Sequence, residues 1–245
     1  MKKIIAVSLL SLVSSMAMAS NSGFYVSGKL GTSILKLSDQ KWQGIDDLGE
    51  YEHSSGGSKT KGVFGGGIAL GYDLYDMTSL PLRTELDITL RGKASSKYNL
   101  SRAAGNDGNG SWFSANEDVK NDITLNTFMI NTYYDFKNET NFTPYVSVGL
   151  GLASIKHKTQ YSFSEVNSDG SEYDAHSKSK TNSNFAWSLG LGSQYAINDN
   201  LSLDLSYRFL DAGKSEVSYH ADGDNMKSKV KVRSNDIMFG VVYRF

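Results

Sequence analysis

Along much of this chain apolar and polar residues alternate one by one. Leu201, Leu203, Leu205, Tyr207 and Phe209 share one parity, and Ser202, Asp204, Ser206 and Arg208 share the other. Leu82, Leu86, Ile88 and Leu90 likewise oppose Arg83, Glu85, Asp87 and Arg91. Phe185, Trp187, Leu189, Leu191 and Tyr195 alternate with Ala186, Ser188, Gly190, Gly192 and Gln194, as do Val146, Val148, Leu150 and Leu152 with Ser147, Gly149, Gly151 and Ala153. Successive side chains of a strand point to opposite faces, so each stretch predicts a β-strand with one apolar side. Eight such segments fall near 23–36, 62–74, 82–94, 122–136, 142–156, 184–197, 201–214 and 235–245. The fourth is ambiguous: Ile123 and Leu125 have one parity, and Phe128, Ile130, Tyr134 and Phe136 the other. Either a bulge or an inward Met129 and Tyr133 resolves it.

The connections alternate in length. Residues 37–61, 95–121, 157–183 and 215–234 read as long polar loops, whereas 75–81, 137–141 and 198–200 are tight. That asymmetry predicts an all-β fold: an eight-stranded antiparallel transmembrane β-barrel with four long extracellular loops and short periplasmic turns. The alternative is a soluble barrel or sandwich with its apolar faces inward. The two ends of the chain argue for the membrane. Met1, Lys2 and Lys3, the apolar run Ile4 to Val13, and Ala17, Met18 and Ala19 predict a signal peptide over 1–19, leaving 20–245 as an outer-membrane β-barrel domain. The last residues, Ile237, Phe239, Val241, Tyr243 and Phe245, form an alternating ladder that stops on an aromatic carboxylate, as outer-membrane barrels do. Tyr72, Tyr134, Phe136, Tyr195, Tyr243 and Phe245 gather at the short-turn ends, where an interfacial girdle belongs.

With the apolar faces outward, Lys29, Asp73, Arg83, Glu85, Asp87, Arg91, Asp204, Arg208 and Arg244 fall inside. An eight-stranded barrel has room for its side chains and little more, so these charges are expected to pair as a structural plug with little or no ion conductance. An ion path is the alternative. The chain has no cysteine, which excludes a disulfide framework and thiolate-held metal. Removing Lys2 and Lys3 from 25 basic residues leaves 23 against 26 acidic ones, which is no nucleic-acid footprint.

Chemistry is sparse. His53, His157, His176 and His220 all fall in or beside the long loops. His53 with Ser55 is surrounded by Ser54, Gly56, Gly57 and Ser58, which offer nothing rigid to hold a catalytic pair, so no enzyme is expected. Gly65, Gly66 and Gly67 lack the context of a phosphate loop and read as space-saving. No metal cluster and no cofactor site is expected. Asp46, Asp47, Glu50 and Glu52, and Glu165, Asp169, Glu172 and Asp174, make acidic loops that either hold calcium or are simply solvated.

The positive signal precedes the last strand. Lys227, Lys229, Lys231 and Arg233 alternate with Ser228, Val230 and Val232, so an extended strand carries four cations on one face, spaced about 6.5 to 7 Å apart. That repeat suits the sulfates and carboxylates of an extended anionic glycan, and Lys156 and Lys158 add a second row. Because the cations share the parity of lipid-facing Ile237 and Phe239, contact with lipopolysaccharide phosphates is an equal alternative. Trp42, Trp112 and Phe113 are the leading candidates for aromatic contacts with a ligand, among Tyr51, Tyr98, Tyr161, Phe163, Tyr173 and Tyr219. Packing among the loops or contact with lipid at the outer interface is the alternative for Trp112 and Phe113.

Asn131, Thr132, Tyr133, Tyr134, Asp135 and Phe136, then Thr143, Pro144, Tyr145, Gly149 and Gly151, with Tyr207, Arg208 and Phe245, resemble the opacity-type small outer-membrane proteins. Within that family the opening Gly23, Phe24, Tyr25, Val26, Ser27, Gly28, Lys29, Leu30 and Gly31 is similar to the Tia and Hek invasins and the heat-resistant agglutinin of enteric bacteria. The resemblance implies an outer-membrane adhesin or invasin whose loops bind host cells, heparan sulfate proteoglycans included, and cause agglutination or invasion. The partners it implies are outer-membrane lipid, lipopolysaccharide and host-cell glycans or proteoglycans, on a monomeric barrel without nucleic acid. The alternative is a protein of envelope integrity and serum resistance with no dedicated glycan ligand.

Overall fold

The computed structural model describes residues 23–46, 49–106, 111–221 and 224–245. The expected signal peptide at 1–19 lies outside them. The elements are β1 (Phe24–Asp46), β2 (Gly49–Asp73), α1 (Tyr75–Thr78), β3 (Leu82–Arg91), β4 (Lys93–Asn106), β5 (Trp112–Asp135), β6 (Phe142–Asn167), β7 (Gly170–Ala196), β8 (Leu201–Ala221) and β9 (Asp224–Arg244). All neighbours are antiparallel, in the order β3-β2-β1-β9-β8-β7-β6-β5-β4, and a β3–β5 ladder closes the ring. β3 and β4 are one stave interrupted at Gly92, whose N–H is taken by the Phe64 carbonyl, so the ring has eight staves as the alternation predicts.

The long connections differ from expectation. Most of 37–61, 95–121, 157–183 and 215–234 is not loop but a continuation of the strands, paired in register almost to the hairpin tips. The ring itself does not continue. The β2–β3 ladder ends at Gly65↔Arg91 and the β7–β8 ladder at Trp187↔Asp211. Above these points the pairings leave two four-stranded sheets, β2-β1-β9-β8 and β4-β5-β6-β7.

The two sheets enclose an apolar core. Leu35, Leu37, Leu210, Ala212, Val230 and Val232 of one pack with Ala94, Ile123, Leu125, Ala153, Ile155 and Ala186 of the other. Farther out, Trp42 and Met226 meet Tyr98, Val119 and Tyr161. Full burial of each large aliphatic group contributes about 1.5–3 kcal/mol, enough for this layer to hold the sheets together.

The apolar face therefore changes sides along single strands. In β9 Ile237, Phe239, Val241 and Tyr243 point outward and Val230 and Val232 inward. In β5 Phe128, Ile130 and Tyr134 are outside and Ile123 and Leu125 inside, with no register shift against β6. The ambiguity of the fourth segment is thus resolved by inward Met129 and Tyr133, not by a bulge. Where the surroundings are lipid the outward face is apolar, and where they are water the inward face is. β1 and β8 add bulges at the change, between Leu37 and Lys41 and between Asp211 and Lys214. The second bulge uses Gly213 at φ 77, a left-handed conformation that glycine adopts without a Cβ clash.

Candidate ligand-binding face

The lumen of the closed ring is filled. Arg83 donates to both oxygens of Asp135 at 2.6 and 3.0 Å, and its guanidinium lies 4.5 Å from the Tyr133 ring centre. Tyr25 and Tyr133 donate to Glu85 at 3.0 and 2.7 Å. Above them Arg91 holds Asp236 at 2.6 Å, Arg208 bridges Asp87 and Asp236 at 3.1 Å each, and Lys29 pairs with Asp87. Asp204 accepts from Tyr145 at 2.9 Å, and Arg244 donates to Ser202 and Gln194. A cavity of about 40 Å³ beside Lys29, Arg83 and Glu85 has room for a few waters.

One expected member stands apart. Asp73 sits at the short-turn rim, accepting from the Tyr75 N–H and lying 3.9 Å from Lys137, because its strand ends there before reaching the interior layers. Asp135, Asp236, Tyr25 and Tyr145 are members beyond those the alternation predicts, and Tyr133 joins them as the inward residue expected of the fourth segment. Asp236 was legible, since it shares the inward parity of Met238 and Gly240. Glycine serves this network at Gly71 and Gly192, where a Cβ would run into the rings of Tyr25 and Tyr145.

The row Lys227, Lys229, Lys231 and Arg233 lies on the outer face of β9 above the lipid-facing residues, with Ser228, Val230, Val232 and Ser234 buried behind it. It is partly neutralised from β8. Lys227 and Lys229 lie 3.0 and 3.8 Å from Glu216, and Lys231 and Arg233 lie 3.5 and 2.9 Å from Asp211. The pairing register adds cations that spacing alone could not locate. Lys41 of β1 stands directly opposite Lys229, Lys36 opposite Arg233, and Lys214 of β8 opposite Lys231. The two bulges on either side of β9 open a groove of about 290 Å³ lined by Asp39, Lys41, Gln43, Lys214, Lys229, Val230 and Lys231. Like charges placed directly across a ladder are destabilising, and here Asp39, Asp211 and Glu216 offset part of that repulsion.

Lys156 and Lys158 are exposed on β6, where Lys158 faces Asp122. β7 and β8 separate them from β9, so the two rows are separate patches on the wall and not one surface. Among the aromatics, Trp112 and Phe113 are exposed at 46% and 42%, at the base of the β4–β5 tip. Trp42 is a correction: the β1 bulge turns it inward, where it is 1% exposed and stacked on Tyr161 at 5.6 Å. Tyr98 is buried in the same cluster. The girdle aromatics pair at the short-turn rim as Phe24–Tyr72, Tyr134–Phe136, Phe142–Tyr195 and Tyr243–Phe245.

His157 is a second correction, being buried between the sheets and not in a loop. Its Nε2 lies 3.1 Å from the Asn121 Oδ1, which also accepts from Ser228, while the Asn121 amide donates to Gln40 at 3.3 Å. Burial pushes its pKa down to about 4, so the ring is neutral and donates through Nε2. The side chains of His53, Asp46, Asp47, Glu50, Glu52, Tyr51 and Tyr219 lie outside the described residues. Among the described residues no group of His, Cys, Asp and Glu is arranged to hold a metal ion.

Residues 5–245 match the family described as outer membrane protein beta-barrel domain. The chain belongs to the outer-membrane β-barrel family. As a barrel of that family it resides in the outer membrane and contacts lipid, in agreement with the resemblance read from its strands. It is 38% identical over 256 residues to outer membrane protein PagN of Salmonella typhimurium, covering 100% of both chains. A Rickettsia conorii protein described as a candidate adhesin is 31% identical over 170 residues, covering 69% of this barrel and 62% of its own length. The solved structure of neisserial surface protein A aligns with a TM-score of 0.45 and 19% identity, over 91% of this barrel and 98% of that chain. None of the three is named as an enzyme.

Proposed function

We propose that this barrel is a surface adhesin whose cationic face on β1, β9 and β8 takes sulfated glycosaminoglycans of host cells such as heparan sulfate. The observation that carries the reading is the pair of like-charge juxtapositions, Lys41 against Lys229 and Lys214 against Lys231, around one open groove. Same-face residues repeat about every 6.5 to 7 Å along β9, a spacing that lets successive lysines meet successive anionic groups of an extended chain. The Rickettsia conorii relative described as a candidate adhesin supports the same class of function.

A second reading rests on the lower end of the row. Arg233 and Asp211 pair across the ladder one step above Phe209 and Asn235 and two above Tyr207 and Ile237, a height that suits lipopolysaccharide phosphates and a role in envelope integrity or serum resistance. The test is adhesion of a non-adherent laboratory strain expressing the protein to epithelial cells, with and without soluble heparin. The partner strain carries Lys41, Lys214, Lys229 and Lys231 as Gln at equal surface expression. The glycan reading expects adhesion that heparin and added salt abolish and that the variant lacks. Adhesion indifferent to heparin and charge contradicts it. Absence of adhesion together with serum survival favours the second reading.

A further inference from the structure

We propose that the lipid-facing wall of β1, β2, β3 and β9 holds a molecule of lipopolysaccharide, its phosphates on lysines at the top of the wall and an acyl chain in a groove below them. The groove measures about 730 Å³. Gly28 and Gly66 lie on its floor, and the exposed side chains of Leu30, Ile68, Leu90 and Phe239 stand around it. The fold itself gives no reason for glycine at position 28. That residue shares the outward parity of Val26 and Leu30, its φ is not left-handed, and a Cβ added there would meet nothing within 4 Å. A large apolar residue would fit the wall here, and its omission leaves the recess.

The lysines above the groove are not compensated. Every cation of the β9 row has a carboxylate of β8 within 4 Å, whereas among the described residues none engages Lys36, Lys59 or Lys61. Lys36 stands on the same outward line of β1 as Leu30 and Gly28, directly opposite Thr60, which Lys59 and Lys61 flank on β2. These two have the inward parity, but the β2–β3 ladder has ended at Gly65↔Arg91, so β3 does not cover them and both are exposed.

Depth and charge select the occupant. Leu30 and Gly28 lie six and eight residues along β1 from Lys36, roughly 20 to 26 Å of strand and about 15 to 20 Å of depth at a tilt near 40°. One leaflet of hydrocarbon is about 15 Å thick, so a chain hung from a phosphate at Lys36 ends in the groove. A phospholipid of the inner leaflet would enter from the short-turn rim, where the wall presents the Phe24–Tyr72 aromatic pair. In the outer leaflet a zwitterionic headgroup brings its own ammonium toward the lysines, whereas lipid A carries phosphates at both ends of its disaccharide and no ammonium. The site extends the phosphate contact of the second reading from Arg233 to its cross-strand neighbour Lys36, and it is independent of the glycan reading.

The test is the lipid carried by the full-length protein extracted from its outer membrane in mild detergent, with lipid A and phospholipid counted per barrel by native mass spectrometry. One variant is Gly28→Leu, which fills the groove with a side chain whose Cβ meets no neighbour. The other carries Lys36→Gln, Lys59→Gln and Lys61→Gln. Heat-modifiable migration on gels verifies that both barrels fold. The proposal expects lipid A on the native barrel and retention lower by on the order of tenfold in each variant. Phospholipid in place of lipid A, a second barrel in place of either, or no retained lipid overturns it. Retention unchanged in either variant overturns it as well, since phosphate contact alone or chain contact alone would then account for the binding. Heparin-sensitive adhesion uses Lys41, Lys214, Lys229 and Lys231 and is expected to remain in Gly28→Leu, so failure here is distinguishable from failure of the glycan reading.

Discussion

Below the split, β9 places Met238 and Gly240 inside and Ile237 and Phe239 outside; above it, the unshifted alternation places Val230 and Val232 inside and Lys229 and Lys231 outside. The lower region is a polar lumen in an apolar jacket, and the upper region an apolar core in a polar jacket. The strands run through both. What reverses is the medium, lipid below and water above, and the sequence follows by moving its apolar residues to the other parity. The lower region is specified by ion pairs and tyrosine hydrogen bonds, the upper by close packing, so the two should fail in different ways.

The largest effect is expected from the lumen. Asp236→Ala leaves Arg91 and Arg208 buried without their shared carboxylate, a loss of about 3–5 kcal/mol. Urea unfolding in lipid, followed by heat-modifiable migration, measures it, and a loss below about 1 kcal/mol would break the contrast. Ile155→Ala in the upper core costs about 2–5 kcal/mol of local packing. Limited proteolysis should then cut the upper sheets while the closed ring stays heat-modifiable; simultaneous loss of both would mean the two regions are one cooperative unit.

Acid sharpens the comparison. His157 titrates near 6.5 when unfolded and at about 4 when buried, so the unfolded state binds the extra proton. Stability of the upper sheets is full above about pH 6.5 and falls as pH drops toward 4, by roughly 3 kcal/mol. Amide exchange of 119–125 and 153–159 across that window reports it, and His157→Gln should flatten the dependence. The smallest effect belongs to the outer face: Lys229→Gln with Lys231→Gln should change unfolding by no more than about 0.5 kcal/mol while reducing heparin retention. A large destabilisation would make the row structural.

The lower region was legible in sequence because lipid demands an uninterrupted apolar parity, and Leu205, Leu150 or Phe239 declare it. The upper strands were not, because their apolar residues carry the opposite parity. Leu35 and Ile155 fall at the last positions of predicted strands and Leu37 in a stretch read as loop, while Val230 and Val232 lie on the one upward extension that the alternating cations of 227–233 predict. The discordant Ile123 and Leu125 were the visible sign of the reversal. Lys41 and Lys214 reach the groove through two bulges, and no spacing along one strand reveals a cross-strand register. Trp42 misled for the same reason, since the bulge before it changes the face it occupies.

The reversal itself can be tested on intact cells, because the chain contains no cysteine to interfere. Single cysteines at Lys229, Val230, Lys231, Val232 and Phe239 would be exposed in turn to a membrane-impermeant maleimide. The structure expects rapid labelling at 229 and 231 and protection at 230, 232 and 239, the first two by the apolar core and the last by lipid. Uniform labelling from 229 to 232 would mean that this stretch is loop after all, and the ordered upper sheets would have to be abandoned.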